Sequence, residues 1–367
     1  MTTQTEGTNG QTTGRASDIG DIKQGLEGVV VAATRLSDVD GERGRLVIAG
    51  HDVEALAGQA TFEDVVVLLD AGRLGDAAAR DATSRALGAA RARAFERIAE
   101  VRPALLRAAQ RAGDDPLDAM GGMAVFAAAW ARLAAGHAPV APDPTLSHAA
   151  DYLRMATGEA PDAARTAALD AYLVTVADHG MNASTFTARV VASTGSDLIS
   201  SIVAALGALK GPLHGGAPGP VLTMLDAIGT PDAAAAWLEG ELAAGRRIMG
   251  MGHRIYRVRD PRAAVLERAT LALEKAGITT GRLALARAVE RAAEGILRVR
   301  HPNRPLHANV EFYTAVLLDT VGLPRELFTA TFAVGRTAGW CAHVAEQRKT
   351  GRLIRPASLY VGDVPAA

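Results

Sequence analysis

Residues 196–229 read SDLISSIVAALGALKGPLHGGAPGPVLTMLDAIG. Two apolar segments at helical spacing flank a run of glycine and proline. On the first side Ala and Leu, both strong helix formers, recur up to Gly211. On the second side Pro218 and Pro220 suit a helix start and Gly229 a stop. Between the two stands one imidazole, His214. It reads either as an exposed loop histidine or as a histidine held at a helix entrance, where backbone N–H groups and ring face a small ligand. The helix–breaker–helix pattern itself sets the fold class, because it recurs along the chain.

Upstream, TFEDVVVLLDAG offers Thr61 as N-cap, Asp64 as capping-box partner and Gly72 as a stop. Ala/Arg/Leu segments fill residues 77–112, interrupted near Pro103. Further helical segments end at Gly136, Gly158 and Gly180. Downstream, PDAAAAWLEGELAAG, DPRAAVLERATLALEKAG, GRLALARAVERAAEGILRVR, NVEFYTAVLLDTVG and a long C-terminal segment continue the pattern. Only residues 25–50 differ: short β-branched runs broken by DVDGERG read as small strands and a turn. The expected class is all-α with a few short N-terminal strands. No βαβ alternation and no repeat of 20–50 residues appears. Gly335 and Gly339 stand four apart in the last helix and predict a close helix approach, inside the chain rather than across a dimer.

The 367 residues suffice for one large or two moderate domains. Aromatics are 4% against 49% hydrophobic residues overall, so Ala and Leu carry the core. A net charge of -1 gives no global attraction to nucleic acid. Lys23, Lys210, Lys275 and Lys349 are the only lysines, so the cationic groups are nearly all guanidinium forks, suited to carboxylate and phosphate. The single cysteine, Cys341, excludes an intrachain disulfide and a thiolate cluster and fits a reducing, cytoplasmic setting. The polar start, residues 1–24, reads as a disordered tail and not as a secretory signal. No run approaches a membrane span of about 20 apolar residues.

Three segments carry candidate chemistry. In GMGHRIYRVRDPR, Gly250 and Gly252 let backbone come close to a ligand, and Arg254, Arg257, Arg259 and Arg262 follow His253. Such a segment suits a ligand bearing phosphates and carboxylates. In HANVEFYTAVLL, Glu311 lies in the first turn of a helix opened by Asn309, among Val310, Phe312 and Val316. Partial burial raises a carboxyl pKa into the range of a general base. In ADHGMNAS, His179 sits at a helix end. Metal chemistry lacks support: there is no HExxH, and His301 and His307 in HPNRPLH match no common zinc spacing. A serine hydrolase lacks its G-x-S-x-G.

Taken in order, these segments resemble the citrate synthase family, from about Gly25 onward. The resemblance is carried by GLEGVVVAATRLSDVDGERGRL, TFEDVVVLL, DHGMNASTFTARVVASTGSDLISSIVAALGALKGPLHGGA, GMGHRIYRVRDPRA, NVEFYTAVLL, GRTAGWCAHVAEQ and RLIRPASLYVG. It implies a two-domain helical fold: residues 25–213 with 318–367 as the large domain, 214–317 as the small one. It implies condensation of acetyl-CoA with oxaloacetate and hydrolysis of the citryl thioester, or the same chemistry on propionyl-CoA in a 2-methylcitrate synthase. A paralogue that binds these ligands without condensing them is the third reading. No metal or cofactor is implied beyond the coenzyme A thioester substrate.

By position, the resemblance makes Glu311 the base at the acetyl methyl group and His214 the donor to the thioester oxygen. His253 would polarise the ketone of oxaloacetate. His179, Arg262 and Arg336 would hold oxaloacetate, with Arg355 reaching in from the second subunit of a homodimer. Ile248, Met249, Gly250, Met251, Gly252 and Arg257 match the segment that receives CoA. Three positions depart. The family usually has Asp where Glu311 stands, commonly Glu where Gly180 stands, and an arginine and an aromatic where Ala49 and His51 stand. Glu is longer than Asp by one methylene, roughly 1.5 Å, so the backbone is expected to be set back.

Overall fold

The computed structural model describes residues 24–26, 28–100, 114–211, 214, 218–253, 255–302 and 306–356, with backbone alone for 24, 97–100 and 218. The expected tail over residues 1–24 lies almost entirely outside them. The chain divides into two units, Thr34–Arg352 on one hand and Met1–Ala33 with Leu353–Ala367 on the other. The first unit is described below.

Three short antiparallel strands come first, β1 (Ser37–Asp40), β2 (Arg45–Ile48) and β3 (His51–Asp52), in the order β1-β2-β3. Ser37 pairs with Ile48 and Asp40 with Arg45. Leu46 and Ile48 alternate onto the buried face. The β1–β2 turn is short because Gly41 and Gly44 make it so: a Cβ at Gly41 would collide with the Ile255 carbonyl, and Gly44 has φ +63. That contact anchors the loop after His253, since Arg257 N–H donates to the Gly41 carbonyl at 2.9 Å.

The remainder is helical, as the sequence predicts. The early helices are α1 (Val53–Leu56), α2 (Phe62–Ala71), α3 (Ala77–Glu100), α4 (Pro116–Ala134), α5 (His148–Thr157), α6 (Ala163–Val176) and α7 (Ala183–Ser193). Then come α8 (Leu198–Leu209), α9 (Pro218–Ile228), α10 (Ala234–Ala243), α11 (Pro261–Lys275), α12 (Arg282–Arg300), α13 (Val310–Val321) and α14 (Phe328–Thr350). The all-α class is therefore observed. Thr61 and Asp64 form the full capping box of α2, and Gly72 and Gly158 close α2 and α5 in the left-handed conformation.

The helix α14 is the hub of the unit. It packs against α2, α4, α6, α7 and α8, and buries Val334, Ala338 and Trp340. Gly335 and Gly339 face the end of α6 within the same chain. A Cβ at Gly335 would stand 3.0 Å from the Leu173 carbonyl, and one at Gly339 would collide with that of Ala177. The expectation of an internal approach holds.

That approach also explains a difference from the sequence reading, which carries α6 to Gly180. The helix stops at Val176 because α14 takes its last carbonyls. Arg336 Nε donates to the Val176 carbonyl at 2.6 Å, and Gly339 N–H to that of Ala177 at 3.1 Å. Asp178, His179 and Gly180 are thereby released into an irregular segment. Gly180, with φ +60, turns it and donates its N–H to Ser37 Oγ at 2.8 Å. A glutamate here, as the family commonly has, would need a positive φ that side chains disfavour.

Candidate active site

The loop Ile248–His253 is bonded to the residues just before α13. Gly252 N–H donates to the His307 carbonyl (2.7 Å) and Asn309 N–H to that of Gly250 (2.9 Å). Asn309 does two jobs: its Oδ1 accepts Phe312 N–H as the α13 N-cap, and its Nδ2 donates to the Gly252 carbonyl at 2.9 Å. Gly250 and Gly252 have φ +74 and +85, and a Cβ on either would stand 2.9 Å from Phe312 or Leu306. Only glycine satisfies both demands. The result ties His253 to Glu311, the second residue of α13. The sequence-predicted CoA segment is laid out along this loop. Ile248 and Gly250 are buried, Met249, Met251 and Gly252 half-buried, and Arg257 exposed.

The imidazole tautomers follow from backbone donors. His253 Nδ1 accepts N–H groups of Ile255 and Tyr256, both at 3.0 Å, so Nε2 carries the hydrogen. His214 Nε2 accepts Ser184 N–H at 3.3 Å and lies 2.9 Å from Ser184 Oγ, so Nδ1 carries the hydrogen. Ser184 is in the first turn of α7, where N–H groups lack intrahelical partners. Trp340 Nε1 donates to Ser184 Oγ at 3.2 Å from the hub helix.

All three histidines are held neutral. Burial pushes His214 down to about 4, helped by the charges of Arg336 and Arg262. Burial and then Arg262 push His253 to about 4. His179 is driven well below its ordinary value by burial, Arg262 and Arg336. For His214, at the helix entrance expected from the sequence, the cause is burial and two guanidinium groups; it stands four residues ahead of α9.

Burial raises the Glu311 carboxyl, against the pull of Arg262 and of the backbone N–H of Glu311 itself. Arg262 was expected to offer a free fork. One edge of that fork is already taken: Nε and Nη2 donate to Asp260 at 3.0 and 2.8 Å, leaving Nη1. Asp260 also accepts Val310 N–H at 3.2 Å, bolting α11 to the start of α13. Arg336 is 1% exposed, lies over the Phe332 ring, and its Nη2 is buried with no described partner. Burial pulls its pKa down to about 10. A buried donor without an acceptor is costly, so an anion is the fitting complement.

His179, His253, Arg262, Arg336, His214 and Glu311 thus form one electrostatic cluster. Arg259, read with the ligand arginines, is instead structural: it pairs with Glu290 and Glu267 at 2.7 and 2.8 Å. Arg254 lies outside the described residues. Arg355 belongs to the terminal unit and is exposed there. A cleft of ≈ 470 Å³ lined by Arg259, Glu267, Arg287, Glu290, Arg291 and Glu294 contains none of the cluster. His51, one of the departing positions, lines a cavity of ≈ 200 Å³ with Gln59, Asp64 and Arg80. Among the described residues no His, Cys, Asp or Glu group is arranged to hold a metal, and no helix is long and apolar enough to cross a membrane.

The sequence reading missed Tyr256, Ser184 and Asp260. Tyr256 is 3% exposed, its hydroxyl lies 3.1 Å from His179 Nε2, and its ring lies 4.6 Å from that of His253. It sits inside the GMGHRIYRVRDPR motif, but neither periodicity nor charge singles it out.

Residues 25–357 match the model of the citrate synthase C-terminal domain. The citrate synthase of Haloferax volcanii is 38% identical, over 94% of this chain and 97% of its own length. The 2-methylcitrate synthase of Mycobacterium tuberculosis is 36% identical, over 93% of this chain and 91% of its own. The solved citrate synthase of Pyrobaculum aerophilum superposes with a TM-score of 0.83 at 32% identity, covering 100% of this chain and 98% of that one. A citrate synthase from Thermoplasma acidophilum, solved with carboxymethyl coenzyme A and oxaloacetate, gives 0.79 at 27% identity, covering 94% and 97%.

Proposed function

The chain belongs to the citrate synthase family of acyltransferases, and from that premise we propose that it condenses acetyl-CoA with oxaloacetate and hydrolyses the citryl thioester. The observation that carries this reading is the convergence of three neutral imidazoles and a partnerless buried Arg336 Nη2 beside the Glu311 carboxyl. Oxaloacetate brings two carboxylates to Arg336, the open Nη1 of Arg262 and His179. Its ketone oxygen accepts His253 Nε2–H. Glu311 removes a methyl proton from acetyl-CoA while His214 Nδ1–H donates to the thioester oxygen, where charge develops. The enol carbon attacks the ketone carbon, and His253 gives its proton to the resulting alkoxide. Water then cleaves the thioester, releasing citrate and CoA. Neutral donors suit this sequence, because they stabilise developing charge without protonating the base.

CoA is taken to lie along Ile248–Gly252 with Arg257 at its phosphates. The two-domain division, 25–213 with 318–367 and 214–317, supplies the closure that excludes water. A second reading, condensation of propionyl-CoA, is favoured by the named 2-methylcitrate synthase relative. One added methylene changes binding by only about 1–3 kcal/mol, so the catalytic groups serve both. Free-thiol release from purified protein with oxaloacetate and each thioester decides. Acetyl-CoA is expected to be the faster substrate; a preference for propionyl-CoA installs the second reading, and no release with either leaves a non-condensing binder.

A homodimer is part of the same proposal. Phe126, Trp130 and Leu133 form an exposed stripe on α4 (43%, 52% and 54% exposed), and Val203 (55%) is exposed on α8, which packs against α4. Exposed apolar residues at helical spacing fit a second copy. Trp130→Glu is expected to yield monomers by light scattering and to weaken oxaloacetate binding, because Arg355 of the partner subunit is lost. A monomeric wild type, or a monomeric variant with unaltered affinity, would refute the shared site.

A further inference from the structure

Three rings meet in the cluster. His179 and His253 have centroids 5.8 Å apart, His179 and Tyr256 5.7 Å, and His253 and Tyr256 4.6 Å. Tyr256 is thus the third corner of a triangle whose other corners are proposed oxaloacetate ligands. Its ring face also meets the Arg262 guanidinium, 5.8 Å from the centroid. The phenol therefore touches three groups assigned to the substrate. A carboxylate held by His179 lies about 3 Å from its donor nitrogen, the distance at which the Tyr256 oxygen already stands, 3.1 Å from His179 Nε2.

We propose that the Tyr256 hydroxyl competes with oxaloacetate for His179 Nε2 and so sets the affinity for the substrate. The inference rests on the proposed role of His179. A neutral imidazole offers one N–H and one lone pair. If Nε2–H donates to the phenol oxygen, the substrate carboxylate needs that same hydrogen. If the phenol donates to Nε2, the nitrogen presents a lone pair that repels a carboxylate until the phenol leaves and the tautomer changes. In both cases the Tyr256–His179 bond breaks as oxaloacetate binds.

The local backbone permits the exchange. Tyr256 lies in a segment, 255–260, that is neither helix nor strand, entered through Gly252 at φ +85. Two anchors hold that segment without using the phenol. Tyr256 N–H donates to His253 Nδ1, and Arg257 N–H to the Gly41 carbonyl at 2.9 Å. The side chain therefore turns about its own bonds while the backbone keeps His253 in its donor tautomer. One residue serves two functions with two different parts: backbone fixes the ketone donor, hydroxyl guards the carboxylate donor.

The test is direct binding of oxaloacetate, by calorimetry, to the wild type and to Tyr256→Phe. Phe keeps ring and backbone and deletes only the competitor. Affinity is expected to rise about two- to tenfold, the ordinary net worth of one hydrogen bond. A merely structural role for the hydroxyl gives no gain. Unchanged or weaker binding in a variant whose thermal midpoint matches the wild type overturns the competition. Should the variant fold poorly, a crystal structure of the wild type with oxaloacetate decides instead. The Tyr256 oxygen is expected beyond about 3.5 Å from His179 Nε2, and its retention within hydrogen-bond distance overturns the proposal. Wild-type protein that binds no oxaloacetate overturns the proposed function and this inference together, whereas binding without a gain in Tyr256→Phe overturns the inference alone.

Discussion

Replacing Glu311 by Gln is expected to lower turnover about a thousandfold or more while oxaloacetate still binds. A positioned general base is worth about 10²–10⁴ in rate, and the other carboxylates that act on the cluster are engaged elsewhere: Asp260 with Arg262 and Val310 N–H, and Asp178 with His343 and Ser37. Gln keeps the shape and removes the basicity. The shorter Glu311→Asp is expected to be poor as well, by on the order of a hundredfold, since a misplacement of about 1 Å costs that much. The start of α13 cannot slide to compensate: Asn309 caps it and grips Gly252, and Asp260 holds Val310 N–H. The pH profile identifies the group. Burial raises the Glu311 carboxyl, so turnover is lost as pH falls through a value above that of an ordinary glutamate. His214 and His253, at about 4, stay neutral through that window. Steady-state rates with the three side chains check all of this. Full turnover in Glu311→Gln would remove Glu311 from the mechanism, and an Asp variant as fast as the wild type would show that side-chain length is not matched to the backbone.

His214→Ala is the second large effect. Loss of one preorganised donor to a developing oxyanion costs about 10²–10³ in kcat. The loss is expected in enolisation itself, measured as exchange of the acetyl-CoA methyl protons with deuterated solvent in the presence of oxaloacetate. Exchange at the wild-type rate would place His214 outside the proton-transfer step. Some stability is expected to go too, because Ser184 Oγ loses its imidazole partner while Ser184 N–H keeps only Asn182 Oδ1, so the comparison is made below the variant's thermal midpoint. Oxaloacetate binding should change little, since His179, Arg262 and Arg336 remain.

Much of the fold is legible along the chain. The Thr61–Asp64 box, the glycine stops at Gly72 and Gly158, and the Asn309 cap depend on residues three or four apart, and local hydrogen bonds decide them. The helix α6 is misread at its end because its last carbonyls bond to Arg336 and Gly339, more than 150 residues away. No local pattern carries that information. The site divides the same way. His214, His253, Glu311, His179, Arg262 and Arg336 are found by motif, and they do form one cluster. That one edge of the Arg262 fork is taken by Asp260, that Arg259 serves Glu290 and Glu267, and that Tyr256 packs against two histidines are not readable from spacing.

The sequence by itself determined the helical class, the order of the candidate site segments and the family, since these rest on periodicity, caps and residue identity. Only the tertiary structure decided which nitrogen of His214 and of His253 carries the hydrogen and that all three rings are neutral. The physical reason is distance. Ser184 reaches His214 across 30 residues, and burial with Arg262 and Arg336 lowers the imidazole pKa values. Desolvation and charge are properties of the packed interior, and they exist only once the segments have met.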